Sequence, residues 1–140
     1  MKKRFVGIDL GTTYSVVAYI DDDGNPVVVP NSEGDNTTPS AIFFEKDGSV
    51  IVGKEAKKSS VKYPMDYQAF IKRQMGEVYK FTNHGNTYTP ESLSAIVLKK
   101  LKQDAEAFMD AEIAGAVVTV PAFLVQKVVM QQWLQWRLQE

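Results

Sequence analysis

The first thirty residues alternate between short apolar runs and polar turns. Residues 5–8, 15–20 and 27–29 are rich in β-branched and aromatic side chains, which is typical of strands. A glycine-centred segment, residues 9–13, separates the first two runs, and an Asp- and Asn-rich segment, residues 21–25, separates the second from the third. Since turns this short join neighbouring strands, the pattern predicts an antiparallel β-meander.

The middle of the chain is expected to add two strands and a partly helical segment. Residues 31–40 are polar and predict a loop. Apolar runs on either side of a Lys-Asp-Gly-Ser turn predict strands at residues 41–44 and 50–52. Residues 53–76 predict helical pieces that Pro64 interrupts, because proline inside a helix removes a hydrogen bond and clashes with the preceding turn.

A small hairpin and a long helix are expected next. Strands at residues 79–81 and 87–88 would flank a turn that contains His84. Thr89 suits the N-cap of a helix and Pro90 its first position. Apolar side chains then recur on one stripe at helical spacing. The stripe consists of Leu93, Ile96, Val97, Leu101, Ala105 and Phe108.

The last part of the chain predicts a strand and a final helix. Gly115 is expected to end the connection after the long helix, and residues 116–120 are almost wholly apolar. Such a run predicts a strand buried on both faces, in the middle of a sheet. Residues 124–139 predict a helix whose apolar side carries Trp133 and Trp136, and these tryptophans are expected to pack in a core or an interface.

Composition narrows the classes of protein and of site. A chain of 140 residues with 44% hydrophobic and 24% charged residues suits one domain with a core. A net charge of -1 argues against nucleic acid or an anionic membrane as the main partner. The absence of cysteine excludes disulfides and thiolate metal sites, and a single histidine excludes a multi-histidine metal site.

Targeting and membrane-spanning segments are not expected. Asp9 breaks the apolar stretch after the basic start, which a secretory signal does not tolerate. The longest uncharged run, Ile113–Gln126, holds fourteen residues and contains Pro121, whereas a spanning helix needs about twenty. The sequence therefore predicts a cytoplasmic protein that does not use a membrane as a partner.

The candidate chemistry lies in the first turn. Glycine at position 11 would let the backbone come close to a ligand, and nearby amides with the hydroxyls of Thr12 and Thr13 would converge on phosphate oxygens. Asp9, at the end of the first strand, would hold a hydrated magnesium ion, which prefers carboxylates and waters. The residues alone leave open a plain hairpin turn capped by the aspartate.

Five segments also follow, in order, the motifs of one known family. The segments are residues 6–18, a D-L-G-T-T phosphate loop; 31–40, an N-E-G-x-x-T-T-P-S loop; 52–57, V-G-x-x-A-K; 70–76, K-R-x-x-G; and 116–123, A-V-I-T-V-P-A-x-F. Together they resemble the DnaK-like, 70-kilodalton heat-shock chaperones over roughly the first 123 residues. A match of five segments in the right order makes the resemblance specific.

The resemblance implies an α/β chain with the actin-like (ribonuclease H-like) ATPase fold. Residues 1–123 would form part of the first lobe of the nucleotide-binding domain, a mixed sheet with flanking helices. Residues 124–140 depart from the family pattern at Leu124 and are expected to form a divergent C-terminal helix. Their origin would be a replaced or frame-shifted tail or an engineered end.

The resemblance also implies roles for individual residues. Asp9 would contact the hydrated metal, and Thr12 and Thr13 would contact phosphates. Tyr14 would lie beside that loop. Lys72 would reach the terminal phosphate and the attacking water, where positive charge stabilises phosphoryl transfer. Without the resemblance, Lys72 is better interpreted as an ordinary solvated lysine.

The cofactors implied by the resemblance are ATP or ADP with magnesium. The second phosphate loop of the family, its other metal ligands, its adenosine pocket and its peptide-binding domain are expected to lie outside this sequence, and Pro121 resembles the proline tied to communication between the two domains. Three or four hydrogen bonds to phosphate would contribute about 1.5–3 kcal/mol each, against an association cost of about 4–15 kcal/mol. Weak or absent nucleotide binding is therefore expected for this chain alone.

Three functions remain open from the sequence. The first is a nucleotide-binding lobe of a chaperone, whose family partners are J-domain co-chaperones and unfolded clients. The second is a non-enzymatic module that binds a partner or forms a homo-oligomer through an exposed sheet and the tail. The third is a sugar kinase of the same superfamily. The loop at residues 31–40 and the segment around Lys72 favour the chaperone, because both follow its pattern.

Overall fold

The structure, a computed structural model, describes residues 2–69 and 80–119. It contains strands, two α-helices and one turn of 3-10 helix at Pro64–Asp66. The strands are β1 Lys2–Leu10, β2 Tyr14–Ile20, β3 Pro26–Val29, β4 Thr38–Pro39, β5 Ala41–Phe44, β6 Val50–Val52, β7 Tyr67–Ala69, β8 Phe81–Asn83, β9 Asn86–Tyr88 and β10 Ala111–Thr119. The helices are α1 Lys54–Ser59 and α2 Pro90–Met109.

The main sheet is mixed and has the order β10-β1-β2-β3, with β4 beside the first residues of β2. β1, β2 and β3 pair in antiparallel fashion, so the predicted meander is confirmed. β10 pairs in parallel with β1, after a crossover that contains α2. The pairing places Asp9, near the end of β1, opposite Thr119, the last described residue of β10.

Helix α2 covers one face of the main sheet, because its apolar stripe faces the alternate inward residues of the strands. Leu93, Val97 and Leu101 are buried against a core that includes Ile8 and Val17. The predicted helix start is confirmed, since Thr89 Oγ1 accepts a hydrogen bond from the Ser92 backbone N–H at 3.2 Å. One stripe residue differs from the prediction: Phe108 is 53% exposed.

A second, smaller sheet has the order β6-β5-β7 and packs against α1. All four residues of β5 are buried because its two faces serve different cores. Ile42 and Phe44 pack into the main core with α2, whereas Ala41 and Phe43 pack with Ala56 of α1. This strand therefore joins the two sheets into one α/β unit. Strands β8 and β9 form the expected hairpin, with His84 in its turn at φ 47.

Two predictions of secondary structure were wrong. Between residues 53 and 69, only α1 is α-helical; after the 3-10 turn, Tyr67–Ala69 is a strand, because it pairs with β5. The last described strand begins at Ala111 rather than after Gly115, and it is not buried on both faces, since Val117 is 75% exposed. Residues 70–76 and the predicted helix at 124–139 lie outside the described residues. Neither described helix combines the length and apolar character needed to cross a membrane.

Candidate phosphate-binding site

The turn between β1 and β2 has a backbone that only glycine fits at position 11. A Cβ atom at Gly11 would overlap the backbone carbonyl oxygen of Tyr14. No side chain tolerates so short an approach, and the other nearby atoms belong to the backbone of the same residue, which cannot swing away as a side chain can. The close approach of the turn to the start of β2 therefore depends on the absence of a side chain here, whereas the predicted approach of a ligand to Gly11 stays a prediction.

Ser40, which follows β4, donates two hydrogen bonds to backbone carbonyls of this turn. Its Oγ donates a hydrogen bond to the Gly11 carbonyl oxygen at 2.8 Å, and its backbone N–H donates to the Thr13 carbonyl oxygen at 2.9 Å. The Ser15 and Ser40 hydroxyl oxygens lie 2.9 Å apart, and both side chains are buried. Two segments that are distant in sequence, the first turn and the end of the 31–40 loop, are thus joined by three hydrogen bonds.

Asp9 lies beside the turn on the outer face of the sheet, where its side chain is exposed. Its Oδ1 accepts a hydrogen bond from the Thr119 hydroxyl at 2.7 Å, which orients the carboxylate. Within residues 2–69 and 80–119, no group of three or more potential metal ligands surrounds it. A single exposed carboxylate fits a hydrated magnesium ion held through its waters, because Mg²⁺ gives up its water ligands reluctantly.

The side chains of the turn face solvent rather than the core. Thr13 and Tyr14 are exposed and Thr12 is half-buried. The Lys57 ammonium of α1 lies 5.4 Å from the centre of the Tyr14 ring, so a positive charge stands next to the turn. These groups form one polar edge, with a carboxylate on one side and a lysine on the other.

A small cavity of about 40 Å³ opens between this turn and the second sheet. It is lined by Thr12, Thr13, Ser40, Lys57 and Tyr67, among others. Burial raises the pKa of Tyr67, so its phenol stays protonated and neutral beside the turn at neutral pH. The cavity has room for one or two waters and not for a nucleotide, which would have to lie outside it on the polar edge.

The loop at residues 31–40 is organised by Asn31. Its Oδ1 accepts hydrogen bonds from the backbone N–H groups of Glu33 and Asp35, at 3.1 and 2.9 Å, and its Nδ2 donates to Thr38 Oγ1 at 3.1 Å. Thr38 is buried and pairs with Ser15, so the loop delivers Ser40 to the turn at a defined position.

Lys100 of α2 fastens the outer end of the same loop. Its Nζ donates to Ser32 Oγ at 2.8 Å and lies 3.5 Å from Glu33 Oε2 and 2.7 Å from Asp104 Oδ2. Partial burial opposes ionisation of Glu33, but its own backbone N–H, the Lys100 charge and the Ser32 hydroxyl outweigh burial and lower the pKa of that carboxyl.

The structure brings together most of the residues that the sequence predicted for this site. Gly11, Thr12 and Thr13 form the turn, Tyr14 begins β2 beside it, and Asp9 lies at its edge. Lys72 and Pro121 lie outside the described residues, so their places relative to the turn stay predictions.

Three contributors were missed from the sequence: Ser15, Ser40 and Thr119. Each is a small hydroxyl residue at the end of a strand, and its partner lies 25 or more residues away in the chain. The available signal in the sequence was the position of Ser40 at the end of the T-T-P-S motif. The motif marks this residue but does not predict that its hydroxyl contacts Gly11 and Ser15.

The chain matches known proteins along most of its length. The family described as Hsp70 protein matches residues 5–83 and 78–127. The Chaperone protein DnaK of Thermotoga petrophila, of Thermotoga neapolitana and of Thermotoga maritima are each 49% identical to it over 123 residues. Each match covers 87% of this chain, and the chain spans about a fifth (21%) of the length of these curated relatives.

These matches settle the family and the fold class. The nucleotide-binding domain of Hsp70 proteins is actin-like, and the mixed sheet with few helices agrees with part of one lobe of that fold. The predicted resemblance and fold class are therefore confirmed, and the sugar-kinase alternative is set aside. The chain belongs to the Hsp70 family of chaperones.

Proposed function

We propose that this chain contributes the first phosphate-binding turn of an Hsp70 nucleotide-binding domain. The observation that carries the proposal is the turn itself: its backbone is held by Ser40 from the buried side, while Thr12 and Thr13 stand at the surface. A loop with fixed amides and hydroxyls at the end of a strand is suited to phosphate oxygens, because its donors are oriented before the ligand arrives.

Each residue of the site has a distinct part in this proposal. Thr12 and Thr13 donate hydrogen bonds to phosphate oxygens, and Tyr14 flanks them. Asp9 would hold a magnesium ion through its waters, since a carboxylate accepts hydrogen bonds from metal-bound water. Lys72 supplies positive charge to the terminal phosphate. The magnesium ion, when bound, neutralises the charge on the phosphates.

The activity of the whole family belongs to the proposal as well. We assign this chain to a parent Hsp70 protein that resides in the cytoplasm. That parent converts ATP to ADP and phosphate and works with J-domain co-chaperones on unfolded clients. This chain carries one side of such a cleft, with a few donors to phosphate. Its own affinity for ATP is expected to be about millimolar or weaker, because a few hydrogen bonds barely offset the cost of association.

Titration with Mg²⁺–ATP, followed by NMR of the ¹⁵N-labelled full chain, tests the proposal. Millimolar ligand is expected to shift the amide signals of residues 11–14 before any others. Asp9→Ala and Lys72→Ala should each weaken this response, whereas Asp47→Ala, an exposed aspartate in the β5–β6 turn, should leave it unchanged. Shifts confined to other parts of the chain, or an equal response in Asp9→Ala, would contradict the proposal.

A second candidate function is self-association, and one feature of the sheet favours it. The face opposite α2 exposes the apolar side chains of Phe5, Ile20 and Val117, at 75%, 59% and 75%. They surround an open groove of about 330 Å³ whose lining is almost entirely apolar. Exposed apolar surface of this kind marks a contact site. The occupant that we propose is a second copy of this chain, packed face to face.

The mass of the protein in solution tests this second candidate. Multi-angle light scattering is expected to show a dimer or larger species at micromolar concentration, and Phe5→Lys should shift the protein to a monomer. Thr82→Lys, at an exposed position of β8 remote from the groove, is the matched control and should leave the mass unchanged. A monomeric wild-type protein would contradict self-association and would favour the tail, residues 124–140, as the cover of this face.

A further inference from the structure

The buried hydroxyls behind the turn form a hydrogen-bond chain with one possible direction. A carbonyl oxygen can only accept, so the single hydroxyl proton of Ser40 goes to the Gly11 carbonyl at 2.8 Å. The contact of 2.9 Å between the two serine hydroxyls must therefore use the proton of Ser15, which donates to Ser40. Both serines are buried, at 1% and 4% exposure, so water does not compete for these bonds.

The same contacts dictate where the turn's amides point. The described residues contain no cis peptide bond, and in a trans peptide unit the C=O and the following N–H point in opposite directions. Because the Gly11 carbonyl points to Ser40, the Thr12 N–H points away from it. The Thr13 carbonyl accepts from the Ser40 backbone N–H at 2.9 Å, so the Tyr14 N–H also points away from that residue.

A single residue thus fixes the peptide units at both ends of the turn. Within the described part of the chain, no hydrogen bond is made by the Thr12 N–H, which leaves this donor available to a ligand. A free turn could rotate its end peptides by a change of φ and ψ, and the donors would then point elsewhere. With Ser40 in place, such a rotation would break two hydrogen bonds and leave the polar groups of the buried Ser40 without partners, which is costly.

We propose that Ser40 is a positioning residue of the phosphate site. It does not touch the phosphate; it holds the Gly11–Thr12 peptide so that the Thr12 N–H faces the phosphate oxygens. Ser15 supports it by donating to the Ser40 hydroxyl. This inference rests on the proposed function, because it assigns to Ser40 the orientation of the donors which that function uses.

Four single variants of the full chain separate this role from general stability. Ser40→Ala removes the bond to the Gly11 carbonyl, and Ser40→Thr keeps a hydroxyl at the same place. Ser15→Ala leaves the bond from Ser40 to Gly11 but removes its support, so its effect should be smaller. Ser94→Ala is the matched control, since Ser94 is equally buried, at 1% exposure, but lies in α2 away from the turn.

The first measurement needs no ligand. NMR of the free protein should show an upfield shift of the Gly11 carbonyl ¹³C signal in Ser40→Ala, because that carbonyl loses its donor. Relaxation dispersion should appear at residues 11–14 in the same variant, as the turn begins to exchange between conformations. Ser40→Thr should restore the wild-type signals, and Ser94→Ala should leave the turn unchanged even where its melting temperature falls.

The second measurement is the titration with Mg²⁺–ATP. If the lost orientation costs as much binding free energy as one typical hydrogen bond, Ser40→Ala should bind Mg²⁺–ATP about fivefold more weakly, and Ser15→Ala should lose less. Ser40→Thr is expected to recover the affinity. If Ser40→Ala does not fold, Ser40→Cys decides the matter by the same signals, since cysteine fills the site but offers the Gly11 carbonyl only a weak S–H donor.

The outcomes distinguish the inference from the function on which it rests. A wild-type turn that responds to Mg²⁺–ATP while Ser40→Ala binds as tightly as Ser94→Ala would overturn the role of Ser40 alone. A wild-type turn that does not respond at all would overturn the proposed function and the phosphate role of Ser40 with it. Weaker binding in Ser40→Ala, rescue by Ser40→Thr and an altered turn in the free protein together support the inference.

Discussion

Gly11 and Gly7 lie four residues apart and show how differently two glycines can be constrained. A Cβ at Gly11 would overlap the Tyr14 carbonyl oxygen, whereas a Cβ at Gly7 would meet only the Ala18 carbonyl oxygen at 4.0 Å, an ordinary contact. Gly7 lies in the middle of β1, where a side chain is normally favoured. The requirement for glycine therefore belongs to the turn and not to the strand that leads into it.

Gly11→Ala is expected to destabilise the fold by about 1–3 kcal/mol, because the two backbones must move apart to admit the methyl group. Gly7→Ala should be neutral or stabilising by up to about 1 kcal/mol, because alanine loses less conformational freedom on folding. Urea unfolding of both variants, followed by circular dichroism, gives the two free energies. Equal values would show that the close approach at Gly11 is absent in solution.

The residues of the turn could be predicted because their signal is local. Asp9, Gly11 and two threonines lie within five residues between two apolar runs, and this short pattern is enough to predict a turn. Ser40 and Thr119 could not be assigned contacts in this way, because 29 and 110 residues separate them from Gly11 and Asp9. Their partners depend on the pairing of β4 with β2 and of β10 with β1, and a local sequence pattern does not predict which distant strands pair.

At the scale of elements, the loop at residues 31–40 acts as a connector between α2 and the turn. Lys100 holds its outer end through Ser32 and Glu33, and Ser40 delivers its inner end to Gly11. Glu33 is ionised at neutral pH, and its pKa in the folded chain lies below the usual value of 4.5. Between the folded and the unfolded pKa of this carboxyl, the folded state therefore binds fewer protons than the unfolded state.

Glu33→Gln is expected to lower stability by about 0.2–1 kcal/mol at pH 7, the usual range for a partly exposed ion pair. Because the folded pKa is depressed, this contribution is present above the unfolded value of 4.5 and is lost as the pH falls through the folded pKa. Wild type and variant should thus converge in thermal melts as the pH falls below 4.5 and through the lower, folded pKa. Glu112→Gln, at an exposed position of β10, is the control, and a similar pH-dependent loss there would indicate a general charge effect.

The elements that were mispredicted are those that depend on tertiary pairing. Tyr67–Ala69 is only three residues long and becomes a strand because β5 offers it an edge. Residues 111–115 include Ala, Glu and Gly, which are poor strand formers, and they extend β10 because they pair with the start of β1. Long periodic segments such as α2 were predictable, since their stripe repeats over many residues.

At the scale of the whole molecule, the two faces of the main sheet differ. One face carries the core beneath α2, and the other exposes apolar side chains beside Asp9 and the phosphate turn. The described residues bury one face well and leave the second for another layer. Whatever covers that second face lies next to the proposed site, so association and nucleotide binding share one side of the sheet.

Two neighbouring valines of β10 lie on opposite faces of the sheet and allow the buried and the exposed face to be compared. Val118 is 9% exposed and packs in the core, whereas Val117 is 75% exposed on the opposite face. Val118→Ala should cost about 2 kcal/mol of unfolding free energy at any protein concentration, because two buried methyl groups are lost. Val117→Ala should cost less than about 1 kcal/mol in dilute solution, where the chain is monomeric and only strand propensity is lost; a further loss should appear only at concentrations where wild type self-associates. A concentration-independent loss in Val117→Ala as large as the loss in Val118→Ala would instead show that this face is covered within a single chain.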